Sequence, residues 1–477
     1  MEQIQPGKRA VPKSNRVRMT AMKSDQIVVG LDIGSTKVCA VAGRLIRNKD
    51  FPTLEVLGVG RVDSGGVTRG SVVNINKTVS AINQAIEEAG NQADIDIGIV
   101  NVGFSSNTIS ARRQVGSITR SSPGDEVTPS DIEHLLSDMY RTVIPPGNEI
   151  VHVIPMDFTV DNEPGVEDPV GRNGVKLGAD FQIIMAPANA ALNTKKCIER
   201  AASNTLKRDQ LVLSVLASGM AVLTEDEKQA GVALVDIGGG TTDIAIYHRN
   251  VLRYISILPW AGNSLTNDIE QGCKVLSNHA EQIKVRFGNA NPADSRLNEV
   301  VSVPGLVNRT PKDVLLRNVS LIMEDRLKEI AALVQAEILR SCFEHKLLAG
   351  IVLTGGTAST PNIESIFKRV TGMDVRVGYP EWLEHNGRAD LVSDPSYATA
   401  LGLVWAGFKQ VDERVSFISD PNRTPEVVPV VKSVGPKPPY RPSATPQLQD
   451  EAPKQGWFSK VRKFFSSDDF IEKKDTY

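Results

Sequence analysis

Short apolar runs alternate with longer stretches of helical period along most of the chain. Ile27–Leu31, Val232–Val235 and Gly350–Leu353 read as buried strands. Val79–Ala89, Ile132–Tyr140 and Val319–Ser341 carry apolar residues at helical spacing. Strands that alternate with helices define an α/β class. The longest near-apolar run, Leu211–Leu223, predicts a core helix. It is shorter than the ~18 apolar residues a transmembrane helix needs, and Ser214, Ser218 and Gly219 interrupt it.

The alternation stops at both ends. Residues 1–25 hold Lys8, Arg9, Lys13, Arg16, Arg18 and Lys23 against Glu2 and Asp25, and predict a flexible basic arm. Residues 413–455 contain nine of the 27 prolines and few large apolar side chains. Such a stretch cannot bury a core and predicts a linker, with a root-mean-square span of roughly 33–39 Å. The chain then turns aromatic and basic again in Gly456-Trp-Phe-Ser-Lys-Val-Arg-Lys-Phe-Phe465.

Composition sharpens this picture only in part. The 477 residues suggest about three domains at roughly 150 residues each. A 41% apolar and 23% charged content is that of a globular protein. The net charge of −2 argues against a nucleic-acid partner, which calls for a clearly basic chain. That sum hides a division: both ends carry a basic excess, so the body between them is acidic. The four cysteines form no CxxC pair, so neither a zinc ribbon nor a redox motif is expected. A reducing cytoplasm is the simplest setting, and the basic N-terminus lacks the apolar core of a secretory signal.

Two segments share one pattern. Val29-Gly-Leu-Asp-Ile-Gly-Ser-Thr-Lys-Val38 and Leu234-Val-Asp-Ile-Gly-Gly-Gly-Thr-Thr-Asp-Ile-Ala245 each run from a buried strand through Asp-Ile-Gly into a second strand. A hairpin of this kind brings backbone N–H groups up to phosphate oxygens, and glycine is needed because a side chain would block the approach. One Asp-Ile-Gly is a common turn; two copies about 200 residues apart imply a duplicated domain with a phosphate between the halves. Candidate phosphate contacts are Gly34, Ser35, Thr36 and Lys37 from the first hairpin. Gly238, Gly239, Gly240, Thr241 and Thr242 come from the second. Asp32 and Asp236 would then face one magnesium ion, most simply through water. Asp236 is also the one catalytic candidate. A third segment, Gly350-Ile-Val-Leu-Thr-Gly-Gly-Thr-Ala-Ser-Thr-Pro-Asn-Ile363, places Gly355 and Gly356 where a purine and its ribose can approach. A helix is expected near Pro361, with Thr360 as its N-cap.

This trio, in this order, resembles the actin, heat-shock-chaperone and sugar-kinase superfamily, where the segments bind two phosphates and adenosine. The resemblance implies two ribonuclease-H-like lobes around a nucleotide cleft, with ATP and magnesium as cofactors. No GxxxxGK[ST] loop and no convincing GxGxxG competes.

Further segments resemble the bacterial cell-division family FtsA: Leu223–Lys228, Pro259–Asn263, Ala280–Gly288, Ser396–Leu403, Asp168–Gly174 and Val151–Pro155. Glu281 and Lys284 lie one helical turn apart, and by resemblance they hold the adenosine. The resemblance implies subdomain 1A over residues 26–105 and 189–231, with a closing helix at 396–412. It places an inserted subdomain 1C over 106–188, instead of the 1B of actin. Subdomain 2A takes 232–263 and 325–395, and 2B takes 264–324. Linker 413–455 and tail 456–477 follow. In the family, 1C serves head-to-tail polymerisation and later division proteins, and 2B takes the C-terminal peptide of the tubulin-like protein FtsZ. Arg309, Lys312 and Arg317 are candidates for that acidic peptide. The implied location is the cytoplasmic face of the membrane at the division site.

The stretch Leu211–Leu223 lacks any Glu, Gln, Asp or His where relatives of actin carry a water-positioning side chain. Slow ATP hydrolysis at most is expected. In a helix, Trp457, Phe458, Val461, Phe464 and Phe465 share one face while Lys460, Arg462 and Lys463 take the other, a pattern suited to an anionic bilayer. Five such side chains give at most about 7–15 kcal/mol, and ordering the segment removes most of that. One tail is therefore a weak anchor, and a polymer with many tails gains avidity. A sugar or acyl kinase, a chaperone or a pilus-assembly relative are the alternatives. The first lacks a visible catalytic carboxylate, the second lacks a β-rich domain after the body, and the third lacks such a tail.

Overall fold

The computed structural model describes residues 27–47, 52–120, 124–202, 205–294, 299–305, 310–380, 383, 388 and 392–412. The basic arm 1–25, the linker 413–455, the tail 456–477 and Arg309 lie outside the described residues.

The first lobe opens on β1 (Ile27–Ile33), β2 (Lys37–Arg47) and β3 (Pro52–Asp63), an antiparallel meander. A short ladder, β4 (Val67–Thr68) and β5 (Ser71–Val72), leads to helix α1 (Ile75–Ala93). Asn74 caps α1 by accepting from the Lys77 N–H, and the helix buries Ile82, Ala85, Ile86 and Ala89 at helical spacing. Strand β6 (Ile99–Phe104) then runs parallel to β1.

The chain next leaves this lobe to build a separate layer. Strands β7 (Ser110–Thr119), β8 (Asn148–Val160), β9 (Glu163–Val166) and β10 (Lys176–Pro187) form one sheet in the order β7-β10-β8-β9. Helix α2 (Pro129–Tyr140) covers it, starting at a Thr128–Asp131 capping box with proline in the first turn. Ile132, Leu135, Leu136 and Met139 of α2 pack with Phe158, Leu177 and Phe181 in a core of their own.

Helix α3 (Ala188–Arg200) and strand β11 (Lys207–Leu213) return to the first lobe, completing the order β11-β6-β1-β2-β3. Here the structure departs from the single core helix expected over Leu211–Leu223. The run is divided: Leu211, Val212 and Leu213 pair in parallel with Val102, Gly103 and Phe104, and helix α4 (Ser214–Val222) begins only afterwards. An apolar run carries no periodicity to separate strand from helix; the waiting edge of β6 decides it.

After α5 (Glu225–Ala230) the second lobe repeats the first. Strands β12 (Val232–Ile237), β13 (Thr242–His248) and β14 (Val251–Leu258) form a second meander. Helices α6 (Gly262–Cys273) and α7 (Ser277–Phe287) follow, then the hairpin β15 (Val300–Val303) and β16 (Lys312–Leu315) and the long helix α8 (Leu316–Ser341). Strand β17 (Ile351–Thr354) lies parallel to β12, and β18 (Val375–Val377) follows helix α9 (Ile363–Thr371). The sheet order β14-β13-β12-β17-β18 matches the first lobe strand for strand and direction for direction.

Thr360 does not cap α9. It closes a short 3-10 turn over Gly356–Ser359, and Asn362 precedes the helix in the left-handed region with no side-chain cap. The Thr360 carbonyl instead accepts from the Ile363 N–H at 3.2 Å, so its backbone does the work expected of its hydroxyl.

Helix α10 (Ala398–Asp412) crosses back to the first lobe. Ala398, Leu401, Val404 and Phe408 join Leu213 and Val215 in a cluster shared by Val28 and Val41 of one sheet and Val232 and Leu234 of the other. Helices α4 and α10 thus sit between the lobes and hold them as one body, leaving the cleft at the strand ends where both hairpins turn.

Candidate nucleotide site in the interlobe cleft

Both hairpins turn in the same way. The Gly34 N–H donates to the Lys37 carbonyl and the Gly238 N–H to the Thr241 carbonyl, each at 2.9 Å. The two turns also touch. A Cβ on Gly239 would lie 1.8 Å from the Thr36 Oγ1, and one on Gly240 would lie 2.4 Å from the Ser35 Oγ. Only glycine allows this approach, which narrows the cleft to about 320 Å³.

Asp32 is the penultimate residue of β1 and Asp236 that of β12, matching places in the two sheets. Both line the cleft. Asp236 is nearly buried and accepts from Ser218 of α4 at 2.5 Å and Thr399 of α10 at 3.4 Å. Burial pushes its carboxyl above the usual range, against those two hydroxyls. Asp32 is raised to about 6, chiefly by burial, with the neighbouring Asp236 adding to it and Lys37 opposing it. Two carboxylates held together at a cost in this way suit a cation between them. Among the described residues there is no cluster of three or more His, Cys, Asp or Glu placed to hold a metal, so oxygens from water or phosphate must complete any shell.

Lys37 projects from the first hairpin to the Ser396 carbonyl at the head of α10, with its ammonium 4.5 Å from the centre of the Tyr397 ring. Arg61 donates to the Tyr397 hydroxyl at 3.3 Å. Burial lowers the Lys37 pKa. Such a cation at the mouth of two N–H-rich turns is matched to phosphate oxygens.

The far end of the cleft is built by α6, α7 and the turn after β17. Lys284 reaches Glu281 at 2.7 Å, the Thr266 hydroxyl at 2.9 Å and the Gly262 carbonyl at 3.2 Å, and Thr266 also donates to Glu281. Gly355 adopts φ 85°, and a Cβ there would meet Asp236 Oδ1 at 2.3 Å. The turn after β17 therefore closes directly over the second carboxylate. Thr357 fastens it to the second hairpin by donating to the Gly238 carbonyl at 2.9 Å.

Seventeen of the residue positions singled out in the sequence can be placed among the described residues, and all but three meet in this cleft. Thr242 does not: as the first residue of β13 it is fully buried on the opposite face, donating to the Trp260 carbonyl at 2.7 Å. The alternation of a strand puts its successor, Asp243, toward the cleft instead. Lys312 and Arg317 are exposed on β16 and α8, away from it.

Asp243 was missed by the motif pattern. It is 3% exposed, accepts from Ser105 of the first lobe at 2.7 Å, and is raised to about 7 by burial and by Asp236. An acid inside the apolar strand Thr242–His248 was the available signal. Ser105, Ser214 and Arg61 also line the cleft without any local signature. Glu227, one of the acids after α4, is turned away, paired with Arg376 at 2.7 and 2.8 Å.

Two sheets of one topology, facing hairpins with a carboxylate at the end of each first strand, and a four-stranded layer inserted in the first lobe define an actin-like fold with an inserted subdomain. The type IV pilus biogenesis complex PilM–PilN shares the fold, with a TM-score of 0.55 over 80% of this chain and 98% of that one at 15% identity. A family model described as "Cell division protein FtsA" matches residues 233–402, and one described as "SHS2 domain inserted in FTSA" matches residues 107–185. Cell division protein FtsA of Pseudomonas aeruginosa is 37% identical over 83% of this chain and 93% of its own length. That of Escherichia coli K12 is 36% identical over 80% of this chain and 90% of its own. The chain belongs to the FtsA family of cell division proteins.

Proposed function

We propose that the chain binds ATP with magnesium in the interlobe cleft, assembles head to tail, and tethers FtsZ to the cytoplasmic face of the membrane at the division site. The observation that carries this reading is the pair of touching hairpins with Asp32 and Asp236 side by side beneath them. Gly34–Lys37 and Gly238–Thr241 would cradle the phosphates, Asp32 and Asp236 the hydrated cation, and Glu281, Lys284, Gly355 and Gly356 the nucleoside. When bound, magnesium neutralises phosphate charge. Of helix α4, Ser214 lines this region while Ser218 is buried against Asp236, and neither is a base. Slow turnover fits that lining, which favours a polymer switch over a fast enzyme.

The subdomain boundaries proposed are those of the family: 1C over 106–188, 2B over 264–324 and 1A and 2A around the cleft. Subdomain 1C would meet the next subunit and later division proteins, and Lys312, Arg317 and Arg309 on 2B the FtsZ peptide. The tail 456–477 would lie on anionic lipid. No helix among the described residues is long and apolar enough to cross a membrane, so attachment in this reading rests on the tail.

Co-sedimentation with anionic vesicles tests the whole. Full-length protein should pellet with ATP and magnesium, less without ATP, and not at all after removal of the last 22 residues (456–477). Equal pelleting with and without ATP would refute nucleotide control. Rapid steady-state turnover abolished by Asp236→Ala would refute the switch.

A further inference from the structure

The inserted subdomain touches both lobes, and its strand β8 makes a polar contact with each. Near its start, His152 of β8 is fully buried and its Nε2 accepts from the Leu213 N–H of the first lobe at 3.0 Å. Five residues on, Asp157 forms a two-point pair with Arg253 of β14 in the second lobe; the Arg253 Nη2 donates to Oδ1 at 3.0 Å and the Nη1 to Oδ2. The Arg253 Nε also donates to the His248 carbonyl at 3.3 Å, which fixes the guanidinium before any partner arrives. Its side chain is 11% exposed and that of Asp157 34%, so the pair is shielded on the arginine side only.

The backbone is shaped for this contact. The β8–β10 register slips between Phe158↔Ala179 and Pro155↔Phe181, so Met156 and Asp157 together oppose the single residue Asp180. A bulge of this kind re-aims a side chain out of the regular alternation. The lobes are therefore joined at three places. The α4–α10 core lies behind the cleft, the touching hairpins at its floor, and the insertion spans from Leu213 to Arg253, toward the end of β14 away from the hairpin turns. A body hinged at the first cannot open at the second without straining the third.

We propose that the insertion is a strap that senses lobe closure. The Asp157–Arg253 pair forms when the hairpins meet and parts when they separate, so occupancy of the cleft sets the position of the insertion against the second lobe. This rests on the nucleotide reading above and adds the route by which the nucleotide reaches a surface that partners touch.

The test uses the full chain with Cys342→Ser and spin labels at Val143→Cys on the insertion and Leu339→Cys on α8, both exposed. Electron–electron distances are measured with and without magnesium and a non-hydrolysable ATP analogue, alongside the affinity for a fluorescent ATP. The nucleotide should narrow the distance distribution. Arg253→Asp or Asp157→Arg should leave it broad in both states and weaken nucleotide binding several-fold. The double exchange, Asp157→Arg with Arg253→Asp, should restore both. If a charge reversal prevents folding, Arg253→Met and Asp157→Asn carry the same expectation. Nucleotide binding with no change of distance, or single variants that behave as the parent, would overturn the strap alone. Absence of nucleotide binding would overturn the function reading and the strap together.

Discussion

At the scale of single residues, the cleft is defined by groups that are costly where they stand. Asp243 is the clearest. An acid raised from 3.8 to about 7 holds its proton in the folded state at pH values where the unfolded chain has lost it. The folded state then binds more protons, so stability falls as pH rises from about 4 through about 7. Asp243→Asn cannot ionise and keeps an acceptor for Ser105. Its melting temperature should match the parent near pH 4 and exceed it increasingly up to pH 8, by the equivalent of about 2–4 kcal/mol there in nucleotide-free protein. A difference that does not change with pH would contradict the assignment. Gly355 is costly in another way: its φ of 85° and its contact with Asp236 exclude a β-carbon. Gly355→Ala should lose at least about 1–3 kcal/mol by chemical denaturation and weaken nucleotide binding at least ten-fold, since the turn must move off the carboxylate.

At the scale of elements, the inserted sheet shows what local pattern can and cannot supply. Helix α2 was legible over Ile132–Tyr140, because its apolar residues recur at helical spacing, while the Thr128–Asp131 capping box that starts it came from the structure. The loops that frame it were not legible. Their organiser is Arg120, 9% exposed, which donates to Asp131 at 3.2 Å and to the carbonyls of Asp125, Glu126 and Gly174 at 2.8, 2.6 and 2.7 Å. One buried guanidinium thus ties the segment before α2 to the one before β10. Arg120→Met would leave three carbonyls without this donor and Asp131 without its cation, and should destabilise the insertion by about 3–5 kcal/mol. Hydrogen exchange should show β7, α2 and β10 opening earlier while β12 and β17 stay protected; uniform loss across both lobes would count against a separate insertion core. Elsewhere the same limit appears in Leu211–Leu223, where strand and helix share one apolar run and only pairing with β6 separates them.

At the scale of the whole molecule, the acidic body and the basic ends divide the work proposed for the chain. Trp457→Asp with Phe464→Asp should abolish pelleting with anionic vesicles while leaving nucleotide binding as it is. Raising salt should weaken the parent's pelleting, since part of the attraction is screened charge. Unchanged pelleting of the double variant would exclude the tail as the anchor. The sequence by itself determined the two Asp-Ile-Gly turns and the Gly355-Gly356 turn, because each depends on residues close along the chain, and the recurrence of the first pattern announced the duplication; the place of the insertion came from resemblance to the family. Tertiary structure alone decided that Thr242 faces inward while Asp243 faces the cleft, and that Ser218 and Thr399 hold Asp236. It also decided that Asp157 reaches Arg253 across 96 positions of sequence. Those partners come from strands and helices brought together by burial of a shared core, whose apolar periodicity shows which faces are buried but not which polar groups end up facing one another.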